Sequence, residues 1–245
     1  MIIVLPPSET KTRPAAGPAL DLDALSSPAL HPHRRTMVRA AQRTAAGREG
    51  ATALGVPAGS PELVDRMARL VEEPAAPALE VYSGVLYDAL GPARPRRAGQ
   101  VLITSALLGV VDAATDRIPA YRLSASSALS RLGRAGSWWR KHLASHGAAL
   151  AAQDELVIDC RSGAYRTMMP VPGAVQVSAV REAGGRRTVI SHDAKRYRGL
   201  LAGLMLEDGA RARSIEEVAG LAREGLPGGL GIEIQGDTLV VVDRA

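Results

Sequence analysis

The chain contains no phenylalanine and a single cysteine, Cys160. One cysteine excludes an internal disulfide framework and fits a reducing cytosol. No apolar run approaches the roughly 18 residues that span a bilayer, so no membrane partner is expected. The opening Met1–Leu5 is too short for a signal peptide and has no basic start. It reads instead as a buried first strand. The P-loop and the Gly-x-Gly-x-x-Gly turn after a strand are both missing, which removes two common phosphate-binding fingerprints. Metal-ligand clusters are missing too. His31 and His33 lie in a proline-containing loop. His142 and His146 stand at i, i+4 on a helix but lack the Glu of a zincin, and read as surface histidines. Neither metal nor cofactor is expected. The chain shows no internal repeat and no clear linker.

What is present is a 245-residue, 46% apolar sequence, ample for a buried core and treated as one compact unit. Its net charge of +5 is unevenly placed. Between Leu156 and Leu206, eight basic residues (Arg161, Arg166, Arg181, Arg186, Arg187, Lys195, Arg196, Arg198) face three acids. From Ser214 onward, two basic residues face six acids. A basic middle and an acidic tail suggest a field that draws an anion to one part of the surface. A scattered basic surface gives the same count.

Ile2–Leu5 is the first strand, ended by Pro6-Pro7. Pro14–Pro32 reads as a surface excursion. Arg34–Ala46 has helical spacing. Ser60-Pro61-Glu62 starts a helix running to about Val71. Pro77–Leu90 reads as another helix, with Leu79, Tyr82, Leu86 and Leu90 in register. Val101–Thr104 and Leu156–Asp159 are short strands, Asp112–Tyr121 is a loop, and Ser137–His146 is a helix. Val175–Val180 with Arg186–Ile190, and Gly231–Ile234 with Thr238–Val242, form hairpins. Ser214-Ile215-Glu216-Glu217 is a capping box by spacing. This mixture predicts an α+β or mixed α/β fold in a single domain over 1–245.

The richest stretch is Ser191-His192-Asp193-Ala194-Lys195-Arg196-Tyr197-Arg198. It sits between the β-branched Thr188-Val189-Ile190 and the helically spaced Leu200-Leu201 and Leu204-Met205. A strand that opens into a helix carrying Lys and Arg is a common place to hold phosphate. A solvated basic helix face is the alternative. Tyr82-Ser83-Gly84 places a glycine inside a helical pattern, at a cost of about 1 kcal/mol. Tyr121-Arg122-Leu123 and Ser162-Gly163-Ala164-Tyr165 are further hydroxyl-bearing turns, and together these suit an oxygen-rich ligand. Cys160 beside Arg161 is open to two readings, a thiol of lowered pKa or a small buried apolar residue. Trp138-Trp139 suits base stacking or a core anchor. Leu226-Pro227-Gly228-Gly229 has the composition of a helix-hairpin-helix turn, but strand-like residues follow it.

Seven segments, in order, resemble the YaaA family of peroxide-stress proteins. They are Ile3–Lys11, Val81–Tyr87, Ser105–Val111, Ile118–Leu123, Trp138-Trp139, Val157–Tyr165 and Ile190–Lys195 with Arg198-Gly199. The resemblance covers nearly the whole chain. It departs from the commoner Pro-Ala-Lys-Thr opening, carrying Ser8-Glu9-Thr10-Lys11 there. It implies a cytoplasmic, cofactor-free protein with one mixed α/β domain of unusual topology and a positively charged cleft. It also implies DNA binding and a lowering of free iron. The family-matched residues placed around the cleft are Ser8, Lys11, Tyr82, Ser83, Gly84, Ser105, Gly109, Pro119, Tyr121, Arg122, Ser162, Tyr165, Ser191, His192, Lys195 and Arg198.

Two readings follow. In the first, the cleft grips nucleic-acid phosphates through Lys11, Arg122, Arg161, Arg166, Lys195, Arg196 and Arg198. In the second, it takes a nucleotide or another small anionic molecule, with His192 as acid/base, Lys11 and Lys195 on the anion, and Tyr82 or Tyr121 as hydroxyl partner. A third reading gives these turns to fold stability and the function to protein partners. A long open groove favours nucleic acid, and a closed pocket of a few hundred Å3 favours a small substrate.

Overall fold

Ile2-Ile3-Val4-Leu5 is apolar at every position and buried at every position. That pattern belongs to a parallel strand covered on both faces. As β1 (Ile2–Leu5) it lies in the interior of an eight-stranded sheet. The other strands are β2 (Val101–Ser105), β3 (Gly109–Asp112), β4 (Val157–Asp159), β5 (Val175–Ala183), β6 (Arg186–Val189), β7 (Leu230–Gln235) and β8 (Thr238–Asp243). Their order is β7-β8-β5-β4-β1-β2-β3, with β6 paired to β5. The inner pairs β1–β2, β1–β4, β4–β5 and β5–β8 are parallel. The hairpins β2–β3, β5–β6 and β7–β8 are antiparallel. This computed structural model describes residues 1–91, 100–190, 193–207 and 212–244.

The topology makes a crevice. From β1 the sheet grows through β2 on one edge, and from β4 it grows through β5 on the other. Strand order therefore reverses between β1 and β4. In open α/β sheets, ligands bind beyond the carboxyl ends of strands at such a switch point. β5 adds a wall. Its first residues pair with β4 and its last with β6, both on the edge opposite β8. β6 thus lies past the end of β4 and carries Val189 and Ile190 toward the crevice.

Among the helices are α1 (His31–Ala45), α2 (Val85–Leu90), α3 (Ala135–Ala151), α4 (Gly163–Met168), α5 (Asp193–Glu207) and α6 (Ile215–Gly225). The main cluster of buried side chains takes residues from the sheet and from helices along most of the chain. α5 packs tightly on α2. A Cβ on Gly199 would stand 2.2 Å from the Leu86 carbonyl oxygen, so only glycine permits that approach. α6 is capped as its spacing predicts. The Ser214 Oγ accepts from the Glu217 N–H at 3.3 Å, and the Glu217 carboxylate accepts from the Arg213 N–H at 2.9 Å.

Several sequence expectations need correction. Pro77–Leu90 is not one helix. It is a short turn of helix, Ala78–Val81, then α2, with Tyr82 extended between them. Gly84 holds φ at 93°, and the Ser83 N–H donates to Ser8 Oγ at 3.1 Å instead of continuing a helix. The strand expected at Val101–Thr104 runs one residue further, to Ser105, and pairs with Gly109–Asp112 in a hairpin. The loop Asp112–Tyr121 contains a short strand, Arg117–Pro119, paired with Ala75–Pro77. α1 begins at His31, three residues earlier than the spacing suggests. The helix begun at Ser60-Pro61 spans Glu62–Ala68 and yields to a 3-10 turn at Leu70–Glu72. Among the described residues, no helix is long and apolar enough to cross a membrane.

Candidate functional site

A cleft of about 790 Å3 occupies the crevice beyond β1 and β4. Pro6–Thr10 leave β1 along one wall, and Ser162–Tyr165 open α4 along another. Ser83-Gly84 precede α2, Ser124–Ser126 form a third rim, and Val189-Ile190 with Lys195 and Arg198 close the fourth. Of the residues singled out from the sequence, Ser8, Ser83, Gly84, Ser162, Tyr165, Lys195 and Arg198 line this cleft. Ser191 and His192 lie outside the described residues. Ile190 and Ala194, on either side of them, line the cleft.

Behind the Ser8 wall stands a second layer. The Lys11 ammonium donates to the Ser8 carbonyl at 2.8 Å and sits 4.0 Å from the Tyr121 ring centroid. Tyr82 and Tyr121 share a hydrogen bond of 2.8 Å between their hydroxyls, and Tyr121 shares another of 2.8 Å with Ser105 Oγ. The chain ends where Ser105 Oγ accepts from the Leu108 N–H at 3.0 Å. Burial raises the Tyr82 and Tyr121 pKa values well above the ordinary phenol range. Lys11 moves the other way. Burial, helped by the Arg122 cation and opposed by Glu9, brings its ammonium down to about 7. Tyr165 is raised to about 12, chiefly by burial, with a hydrogen bond to the Ala125 backbone acting against it.

The arginines near the cleft are largely bonded within the protein. Arg161 is fully buried and forks onto the Asp159 carboxylate at 2.8 and 2.7 Å. It also donates to the Tyr165 carbonyl at 3.2 Å. Arg166 donates to Gln176 Oε1 and to the Asp159 and Val177 carbonyls. Arg198 Nε donates to the Val177 carbonyl at 3.1 Å. Arg122 Nε donates to the Gly55 carbonyl at 2.9 Å, with the Glu9 carboxylate 3.5 Å from its terminal nitrogens. Lys195 differs. It is exposed at the cleft, and none of the ion pairs among the described residues includes it. The structure therefore brings Lys11, Tyr82, Tyr121, Ser105 and Arg122 together as a supporting layer. Arg161 serves as an internal strut.

The other candidates resolve simply. Cys160 is buried and its thiol is raised to about 12, so the small-apolar reading holds and the activated-thiol reading does not. Trp139 is a core anchor whose indole N–H donates to the Ala106 carbonyl at 2.8 Å. Trp138 packs against His142, which stacks on His33 with centroids 4.0 Å apart. Among the described residues, no group of three or more His, Cys, Asp or Glu could hold a metal ion. The sequence reading missed Thr10, Tyr87, Ser124 and Ser126, all on the cleft wall. The Ser-Ala-Ser-Ser run after Leu123 was the available signal, since serine clusters mark turns.

The cleft and its topology describe a mixed α/β protein with a polar site at a sheet switch point. Residues 1–227 match the family described as "Peroxide stress protein YaaA". The chain is 40% identical to a UPF0246 protein of Corynebacterium efficiens over 228 residues, covering 91% of this chain and 92% of that one. It is 34% identical to a UPF0246 protein of Streptomyces coelicolor over 251 residues, covering 97% and 93%. The chain belongs to the YaaA peroxide stress family.

Proposed function

We propose that the cleft binds a small anionic molecule rich in hydroxyl or phosphate oxygens, as part of a peroxide-stress role. The observation that carries this reading is the composition of the cleft wall. Ser8, Thr10, Ser83, Ser124, Ser126, Ser162 and Tyr165 bring hydroxyls to one cavity, with Lys195 as its free cation among the described residues. Arg198 is held through Nε by the Val177 carbonyl, and the acid Glu9 stands beside Arg122. Its volume of about 790 Å3 suits a metabolite. Gripping a phosphate backbone needs many cations free to meet phosphates. Arg122, Arg161, Arg166 and Arg198 already hold protein oxygens.

Nucleic-acid binding is the second reading. It is favoured by Lys195 and Arg196, adjacent and exposed at the start of α5. With two such contacts, affinity for duplex DNA falls with salt on a log–log slope of about −2. A slope several times steeper requires cations outside this cleft. Cytoplasmic location and iron limitation belong to this proposal as expectations carried by the family.

The test is a thermal-shift and calorimetric panel of nucleotides, sugar phosphates and polycarboxylates, with duplex DNA alongside. A small anion should stabilise the protein, and Ser162→Tyr, which fills the cleft, should abolish the effect. Stabilisation by duplex DNA alone, or hits that ignore Ser162→Tyr, contradict the reading.

A further inference from the structure

A second concavity, of about 690 Å3, adjoins the cleft. The two share Ala125, Ser126 and Ala164 as walls. Its remaining lining is Arg134, Gly136, Ser137, Arg140, Lys141, Thr167 and Met168. Three of these are cations and none is an acid. Arg134, Arg140 and Lys141 are all exposed, and the ion pairs among the described residues include none of them. This contrasts with the strand ends nearby, where Arg161, Arg166 and Arg198 are held by protein oxygens.

The local helix brings no acid to the groove. α3 starts in this groove with no acidic residue in its first turn and no side-chain cap. α6, elsewhere, has two acids and a serine cap. The first amides of α3, those of Ala135 and Gly136, donate to the Ser127 and Ala125 carbonyls, so the groove's positive charge rests on its side chains. Ser126 and Ser137 add hydroxyls, and Met168 with Ala164 forms an apolar patch. Cations with hydroxyl donors and no competing carboxylate make a phosphate-class site.

We propose that this groove is the phosphate compartment of the adjoining cleft, so that the ligand is a phosphorylated small molecule spanning the shared wall at Ser126 and Ala164. The body of the ligand occupies the cleft, and its phosphate meets Arg134, Arg140 and Lys141. This rests on the small-anion reading above for the body, whereas the groove's taste for phosphate stands on its own residues.

The experiment titrates the full chain with inorganic pyrophosphate by calorimetry at low salt. Arg140→Gln combined with Lys141→Gln should weaken binding by about tenfold or more, since two charge-assisted contacts are lost. Ser162→Tyr, confined to the cleft, should leave pyrophosphate binding intact, which separates the two claims. For any phosphorylated hit from the panel, both variants should weaken binding. Its dephosphorylated counterpart should lose affinity only in Ser162→Tyr. Absence of pyrophosphate binding, or binding unchanged in the double variant, overturns the groove assignment while leaving the cleft reading standing. Duplex DNA that displaces pyrophosphate and binds more tightly, with the same dependence on Arg140 and Lys141, overturns the small-molecule assignment.

Discussion

The strand ends around Asp159 and the groove beside α3 are both rich in arginine, yet their cations have opposite fates. At the strand ends, Arg161 and Arg166 lock onto Asp159 and its neighbours, and Arg198 onto the Val177 carbonyl. In the groove, Arg134, Arg140 and Lys141 line open space. The difference teaches that a run of positive charge in a sequence is not a run of available charge. Five of the eight basic side chains between Leu156 and Leu206 are bonded to protein oxygens: Arg161, Arg166, Arg181, Arg187 and Arg198.

The sharpest way to break this comparison is to neutralise one member of each set. Arg161→Met should destabilise the fold by roughly 3–5 kcal/mol, because it leaves the buried Asp159 carboxylate without its main partner. Arg140→Gln should change stability by no more than about 0.5 kcal/mol. Urea unfolding of both variants checks this, and equal effects contradict the division.

Next in size is Gly199→Ala. Its Cβ would stand 2.2 Å from the Leu86 carbonyl oxygen, so α5 must move off α2. A loss of about 1–3 kcal/mol is expected by thermal or urea unfolding. A smaller loss, about 1–2 kcal/mol, is expected for Tyr121→Phe, which removes the hydroxyl between Tyr82 and Ser105. That change tests whether the layer behind Ser8 is structural. If so, ligand affinity should fall less than stability.

The subtlest effect is in pH. Lys11 titrates near 7 in the folded protein, below its ordinary value, so between about 7 and 10 the unfolded chain binds the extra proton. Stability from this group therefore rises with pH across that window and is lowest below it. Lys11→Met should flatten the rise in urea midpoints measured from pH 6 to 9. A wild-type curve that falls over this range contradicts the Lys11 environment.

Much of the fold was legible in local pattern. The all-apolar β1, the two late hairpins, the Ser214 cap and the passage from β6 into the α5 helix all follow from short-range spacing. The break at Tyr82-Ser83-Gly84 was visible only as an odd glycine, because its cause is the distant Ser8 hydroxyl. Arg34 reads as one more basic residue on a helix. In the structure it is fully buried, donating to the Ser26, Leu108 and Val110 carbonyls, and burial lowers its pKa to about 10. Such partners are backbone oxygens brought near by topology, and no local spacing encodes them. Four of the eight hydroxyl-bearing residues on the cleft wall, Ser8, Ser83, Ser162 and Tyr165, were legible because they stand in or beside turns. The groove was missed because Arg134 precedes, and Arg140 and Lys141 lie within, a helix whose tryptophans point to the core.

The most direct test of which cations are available is an amide chemical-shift map of the protein titrated with inorganic pyrophosphate. The account predicts perturbations at Ser126, Ser137, Arg140, Lys141 and Thr167, with Asp159 and Arg161 unmoved. Perturbations centred on Asp159, Arg161 and Arg166, with the groove silent, would contradict it.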